Sequence, residues 1–102
     1  MREKEIEEYL VKHVRQCGGR AYKFVSPGNS GVPDRLVVFP NGVIAFIELK
    51  APGEKTRPIQ DHEINRLRRF GQLVTILDSK AKVDGYIKVL VAESARRGAK
   101  VV

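Results

Sequence analysis

Three ionisable residues stand where two apolar runs of the chain come together. Asp34 opens the run "RLVVF", and Glu48 and Lys50 close the next one, "VIAFIELK", with only Leu49 between them. Side chains two apart on a strand share a face, so Glu48 and Lys50 project together and Leu49 projects away. The tripeptide "PNG" at 40–42 separates the runs, and Asn-Gly favours a tight turn, so the two segments read as an antiparallel hairpin. A two-residue turn at Asn41–Gly42 sets Pro40 opposite Val43 and Asp34 opposite Leu49, between Glu48 and Lys50. Two carboxylates and an ammonium then occupy one spot.

Neighbouring carboxylates raise each other's pKa, and a divalent cation relieves that repulsion. Oxygen donors without a cysteine or histidine cluster beside them suit Mg²⁺ or Mn²⁺ rather than zinc. A cation held by Asp34 and Glu48 with open positions would polarise a phosphoryl oxygen and acidify a bound water, and Lys50 would orient that water or offset phosphate charge. An acid-x-lysine at a strand end is, by itself, an ordinary surface ion pair. The "PD" at the matching end of the neighbouring strand, with Gly31 and Pro33 shaping the approach, favours a site.

The elements that must position these residues follow from periodicity. Residues 2–17 read as a helix with Ile6, Leu10, Val14 and Cys17 on one stripe, ended by the glycines at 18–19. Strands are expected over 21–25, 35–39, 43–50 and 72–78, and loops over 26–33 and 51–58. A second helix over 59–71 turns Ile59, Glu63 or Ile64, Leu67 and Phe70 inward. A third over 82–98 turns in Val83, Ile87, Leu90 and Val91, and the tail 99–102 reads as a short strand or a frayed end. The order α-β-β-β-α-β-α implies an α/β fold, a mixed central sheet of about four strands flanked by helices. The helical crossover into the last strand allows a parallel pair there.

Composition narrows the function. The 102 residues suit a single domain, 1–102, and carry 19 Lys+Arg against 12 Asp+Glu, a net charge of +7. A compact basic domain favours anionic partners, nucleic acid first among them. One cysteine excludes an internal disulfide, and no run reaches the length of a membrane span. With no signal-peptide-like start, the expectation is a protein of the cytoplasm, in a bacterial or phage-infected cell. No Ser/His/Asp or Cys/His arrangement suggests nucleophilic catalysis, so Cys17 reads as core, His13 as partly buried packing and His62 as surface. Lys23, Ser26, Ser30, Lys55 and Arg57 lie on segments flanking the acids and are the candidate phosphate contacts. Arg66, Arg68 and Arg69 read as the solvated side of a helix ahead of a DNA-facing one.

"PD" followed by "ELK" resembles the PD-(D/E)XK nuclease pattern. The stretch "YKFVSPGNSGVPDRLVVFPNGVIAFIELKAPGEKTRPIQ" resembles the virus-type replication-repair nuclease (VRR-NUC) domain in its minimal stand-alone phage or prophage form. The resemblance runs from the first helix to about Asp78 and is strongest over 22–60. It implies a restriction-endonuclease-like core and metal-dependent cleavage of DNA. It further implies Asp34 and Glu48 as metal-binding carboxylates, Lys50 as the catalytic lysine, Gln60 as an active-site glutamine and the Leu49 carbonyl as a metal ligand. A glutamate from the first helix completes the family's set; Glu7 matches that place best, ahead of Glu3 and Glu8. Members of this superfamily often act as dimers on branched DNA such as four-way junctions. A homodimer is expected here too, given the small core and the apolar C-terminal segment.

Overall fold

The computed structural model describes residues 1–99, arranged as α1 (Glu3–Gln16), β1 (Arg20–Lys23), β2 (Arg35–Phe39), β3 (Val43–Leu49), α2 (Pro58–Arg69), β4 (Leu73–Leu77) and α3 (Lys80–Ala99). The element order is the expected one, and the four strands form one mixed sheet in the order β1-β2-β3-β4. The first two pairings are antiparallel and β3–β4 is parallel, reached through the α2 crossover. Ala99 ends α3, and the rest of the expected tail element lies outside the described residues.

The core lies on one face of the sheet. Val37 and Phe39 of β2, Val43, Ala45, Ile47 and Leu49 of β3, and Leu77 of β4 meet the apolar stripes of α1 and α3 there. Ile6, Leu10 and Val14 of α1 are fully buried, which the four-residue spacing dictates. Cys17 does not join them. It is the C-cap residue of α1, and its side chain is exposed rather than core, because the helix ends at Gln16 and Gly18 turns the chain away at φ +91°. Three further inward assignments change as well. In α2 only Gln60 and Ile64 are buried, while Ile59 and Phe70 at its ends are 47% and 70% exposed. In α3, Val83, Ile87 and Leu90 are buried and Val91 faces solvent, its stripe being continued by Ser94 instead.

The β2–β3 hairpin departs from its expected register by one residue. Phe39 pairs with Val43 and Arg35 with Ile47, so the connection is the three-residue loop Pro40–Asn41–Gly42. A two-residue turn would pair Pro40 with Val43, and proline has no N–H to give that ladder bond. Asn41 and Gly42 both take left-handed backbone, at φ 67° and 75°. The loop is clamped to α3: Asn41 Nδ2 donates to the Ser94 carbonyl at 2.8 Å, Ser94 Oγ to the Pro40 carbonyl at 2.7 Å, and Arg97 to the Gly42 carbonyl at 2.8 Å. A one-residue shift reverses the face assignments of one strand relative to the other. Continuing the observed ladder beyond Arg35 brings Asp34 level with Glu48 rather than Leu49, on the sheet face opposite the main core.

Candidate active site

Side-chain alternation sends Val43, Ala45, Ile47 and Leu49 into the core and leaves Glu48 on the other face. That face is not open water at Glu48: the residue is 2% exposed, Lys50 8% and Gln60 7%. Buried charge and amide must find partners, and these three find one another. Glu48 Oε2 accepts a hydrogen bond from Gln60 Nε2 at 2.9 Å and lies 3.5 Å from Lys50 Nζ. Asp34 Oδ2 accepts the backbone N–H of Leu49 at 2.8 Å, which ties the start of β2 to the end of β3. The other carboxylate oxygen, Glu48 Oε1, is buried with no hydrogen-bond partner.

The electrostatics follow from this packing. Burial and then the negative charge of Asp34 push the Glu48 carboxyl up to about 7, against the opposing pull of the Lys50 ammonium. Glu3, on the first turn of α1, feels the same group of charges. Its carboxyl is raised first by burial and then by Asp34, and Lys50 lowers it. Glu3 in turn acts on Glu48.

Gln60 is held from both ends. Its Oε1 accepts the Arg57 N–H at 2.9 Å, capping the first turn of α2 that Pro58 begins, while its Nε2 serves Glu48. This orientation of the amide is the one that satisfies both neighbours. The 26–33 loop fixes where that turn sits. Gly31 has φ +84°, and a Cβ there would stand 2.5 Å from the Ile59 carbonyl oxygen and 3.2 Å from the Gln60 nitrogen. Only a residue without a side chain lets the loop press against the turn that carries Gln60. Pro33, fully buried, completes the wall before Asp34.

The structure separates the glutamates of α1. Glu7 Oε2 is bound by Arg35 Nε at 2.9 Å and approached by Lys23 Nζ at 3.4 Å, so it is engaged on the side of the sheet next to α1. Glu3 is the one of the two on which the charges of Asp34 and Lys50 act, and it adds in turn to the shift of Glu48. Among the described residues no three His, Cys, Asp or Glu side chains converge as a preformed metal cage. The side-chain oxygens that would meet a hard cation here are those of Asp34 and of Glu48 with its unpartnered Oε1. Of the expected phosphate contacts, Lys23 pairs with Glu7, and the Ser26 hydroxyl accepts from Asn29 Nδ2 at 3.0 Å. Ser30, Lys55 and Arg57 are exposed on the loops around the acids.

The VRR-NUC domain model matches residues 2–81, which include every residue of this cluster. The chain belongs to the VRR-NUC family. A phage protein named "Putative nuclease p44", from Acyrthosiphon pisum secondary endosymbiont phage 1, is 59% identical over 80 residues, 78% of this chain and 86% of its own length. A solved structure described as a VRR_NUC domain aligns with a TM-score of 0.79 at 36% identity, over 84% of this chain and 94% of the other. The three helices and mixed four-stranded sheet are thus a VRR-NUC fold of the PD-(D/E)XK type, and the family is one of nucleases. No helix among the described residues is long and apolar enough to cross a membrane.

One contributor to this VRR-NUC site escapes sequence reasoning. Glu54, on the loop after β3, adds negative charge that raises Glu3 further. Its only signal in the sequence is its place four residues after Lys50 on a loop that must return past the acids.

Proposed function

We propose that the protein is a Mg²⁺- or Mn²⁺-dependent endodeoxyribonuclease that cleaves phosphodiester bonds of branched DNA, four-way junctions in particular. The observation that carries the reading is the buried, unpartnered Oε1 of Glu48, whose other oxygen lies 3.5 Å from Lys50 Nζ and whose carboxyl feels the charge of Asp34. A carboxylate oxygen shut away from water without a donor is costly, and a hard cation satisfies it. Asp34, Glu48, the Leu49 carbonyl and Glu3 are the residues that would hold the ion. When bound, it supplies charge opposite the phosphoryl oxygen and lowers the pKa of an attacking water.

The chain's own residues do the rest. The ammonium of Lys50 stands at the rim of the acids, where it orients the attacking water and offsets charge gathering on the phosphate. Gln60 keeps Glu48 in one rotamer, leaving Oε1 free, so no reorganisation is required when the substrate arrives. Glu7 anchors Arg35 and Lys23, and thereby the start of β2 and the end of β1. Ser26, Ser30, Lys55 and Arg57 grip the backbone without reading bases, as no element among the described residues is a recognition helix.

A homodimer would present two such centres to a symmetric junction. The surface that favours it is an apolar groove of about 560 Å³ between β4 and α3, lined by Leu73, Tyr86, Val89 and Leu90, where Val89 is 57% and Leu73 39% exposed. The test is to incubate the protein with end-labelled four-way, flap and linear duplex DNA, in Mg²⁺, in Mn²⁺ and in EDTA. Preferred cutting of the junction, dependent on metal, is expected. Absence of metal-dependent cutting on all three substrates defeats the enzyme reading, and preference for flap or linear DNA defeats the junction.

A further inference from the structure

Away from the acids, α1 and the edge of the sheet enclose a cleft of about 450 Å³ lined by Lys4, Lys12, Arg15 and Arg35 together with Glu7 and Glu8. A smaller cleft of about 180 Å³ shares Arg15 with it and adds Arg20 at the start of β1. Arg35 is neutralised by Glu7. Lys4, Lys12, Arg15 and Arg20 form no ion pair among the described residues, and Glu8 is the one acid left to oppose them. All four cations are exposed.

Their arrangement is linear rather than convergent. Lys4, Glu8, Lys12 and Arg15 follow spacings of four, four and three, a stripe along α1 apart from the buried Ile6–Leu10–Val14 stripe. Eleven residues from Lys4 to Arg15 cover about 16 Å of helix axis. That is the rise of about five phosphates on one strand of a duplex. A small anion would call for cations closing on one point, and none of these is buried. The row instead suits a polyanion lying along it. The Lys4 end of the row is tied to the site through the chain: Lys4 follows Glu3, and Arg35, which lines the cleft on the α1 side of the sheet, follows Asp34 on the opposite face.

We infer that this cleft along α1 carries the phosphate backbone of the substrate's flanking duplex, leading it away from the scissile bond. The inference rests on the nuclease reading and extends the substrate contact well past the loops around the acids. It makes the affinity for a long arm sequence-independent and steeply dependent on salt, while the chemical step stays with the acids and Lys50.

The test uses the full chain carrying Lys12→Glu with Arg15→Glu and, as a second pair, Lys12→Gln with Arg15→Gln. Binding of a fluorescent junction with long arms is followed by anisotropy in EDTA, between about 50 and 200 mM salt, and compared with a junction whose arms end close to the crossover. Loss of two phosphate contacts lowers the slope of log K against log salt by about 2, so wild type loses roughly tenfold more affinity across that range than the glutamine pair does. Cleavage at saturating DNA should keep its kcat while KM for the long-arm substrate rises. Equal slopes for wild type and both pairs overturn the inference, as does an equal loss of affinity for the long-arm and the short-arm junction. Failure of wild type to cut any DNA is a separate result, which removes the nuclease reading on which the inference stands.

Discussion

Replacing Glu48 by glutamine should stabilise the metal-free protein, and only at the alkaline end of its range. The Glu48 carboxyl has an ordinary value of 4.5 and is pushed up to about 7 in the fold by burial and by Asp34. Between those two values the folded protein retains a proton that the unfolded chain has given up. Stability therefore falls as pH rises through the window, and the loss is complete above about pH 8. At about 1.4 kcal/mol per unit, the shift corresponds to about 3 kcal/mol between roughly pH 5 and pH 8. Glu3 shifts in the same direction in both proteins, so the difference between them isolates Glu48. Glu93, pushed down to about 2 by Arg96 and Arg97, loses its contribution only as pH falls below the ordinary carboxylate range, outside this window. Glu48→Gln keeps the acceptor for Gln60 and removes the titration. Urea unfolding in EDTA at matched protein concentration, repeated from pH 5 to pH 8, reads the effect directly. The wild-type stability should decline across the series more steeply than that of the variant, which keeps only the decline due to Glu3. Parallel curves for the two proteins would refute the assignment of Glu48 as a buried, destabilised carboxylate.

Two further substitutions probe how the site is held. Gly31→Ala forces a side chain into left-handed backbone, at about 1–2 kcal/mol, and into the α2 backbone, at about 1–3 kcal/mol. Thermal unfolding should shift down by roughly 10 °C or more, and cleavage should fall with it because Gln60 moves; an unchanged melting curve contradicts the packing. Glu3→Gln should depress metal-dependent cleavage by tenfold or more (on the order of one ligand's worth of affinity) with little loss of stability. Glu7→Gln should do the reverse, and equal cleavage defects for the pair would remove the distinction between them.

Much of this architecture is legible in the sequence because it rests on local rules. The α1 stripe of Ile6, Leu10 and Val14, the glycine stop at Gly18 and the alternation of β3 each follow from one periodicity. The parts that are not legible depend on what the elements pack against. Ile59, Phe70 and Val91 satisfy a helical apolar spacing, yet they lie where no other element among the described residues covers them. The hairpin register turned on a missing donor: Pro40 cannot close a two-residue turn, so the loop took a third residue and moved Asp34 level with Glu48. That shift improves the convergence inferred from a simpler turn, since partners across an antiparallel ladder share a face. Glu3 and Glu7 stand one helical turn apart, and spacing alone cannot separate them. What sets them apart in the structure is Arg35, whose guanidinium engages Glu7, while the charges of Asp34 and Lys50 act on Glu3.

The central claim is that Asp34, together with the buried Glu48, Lys50 and Gln60, forms a catalytic centre. Single-turnover cleavage of a labelled junction by Lys50→Ala, at saturating Mg²⁺ and saturating protein, tests it most directly. The account predicts a rate lower by at least about 10², with the affinity for the same DNA in EDTA preserved. A variant that cleaves at the wild-type rate would contradict it.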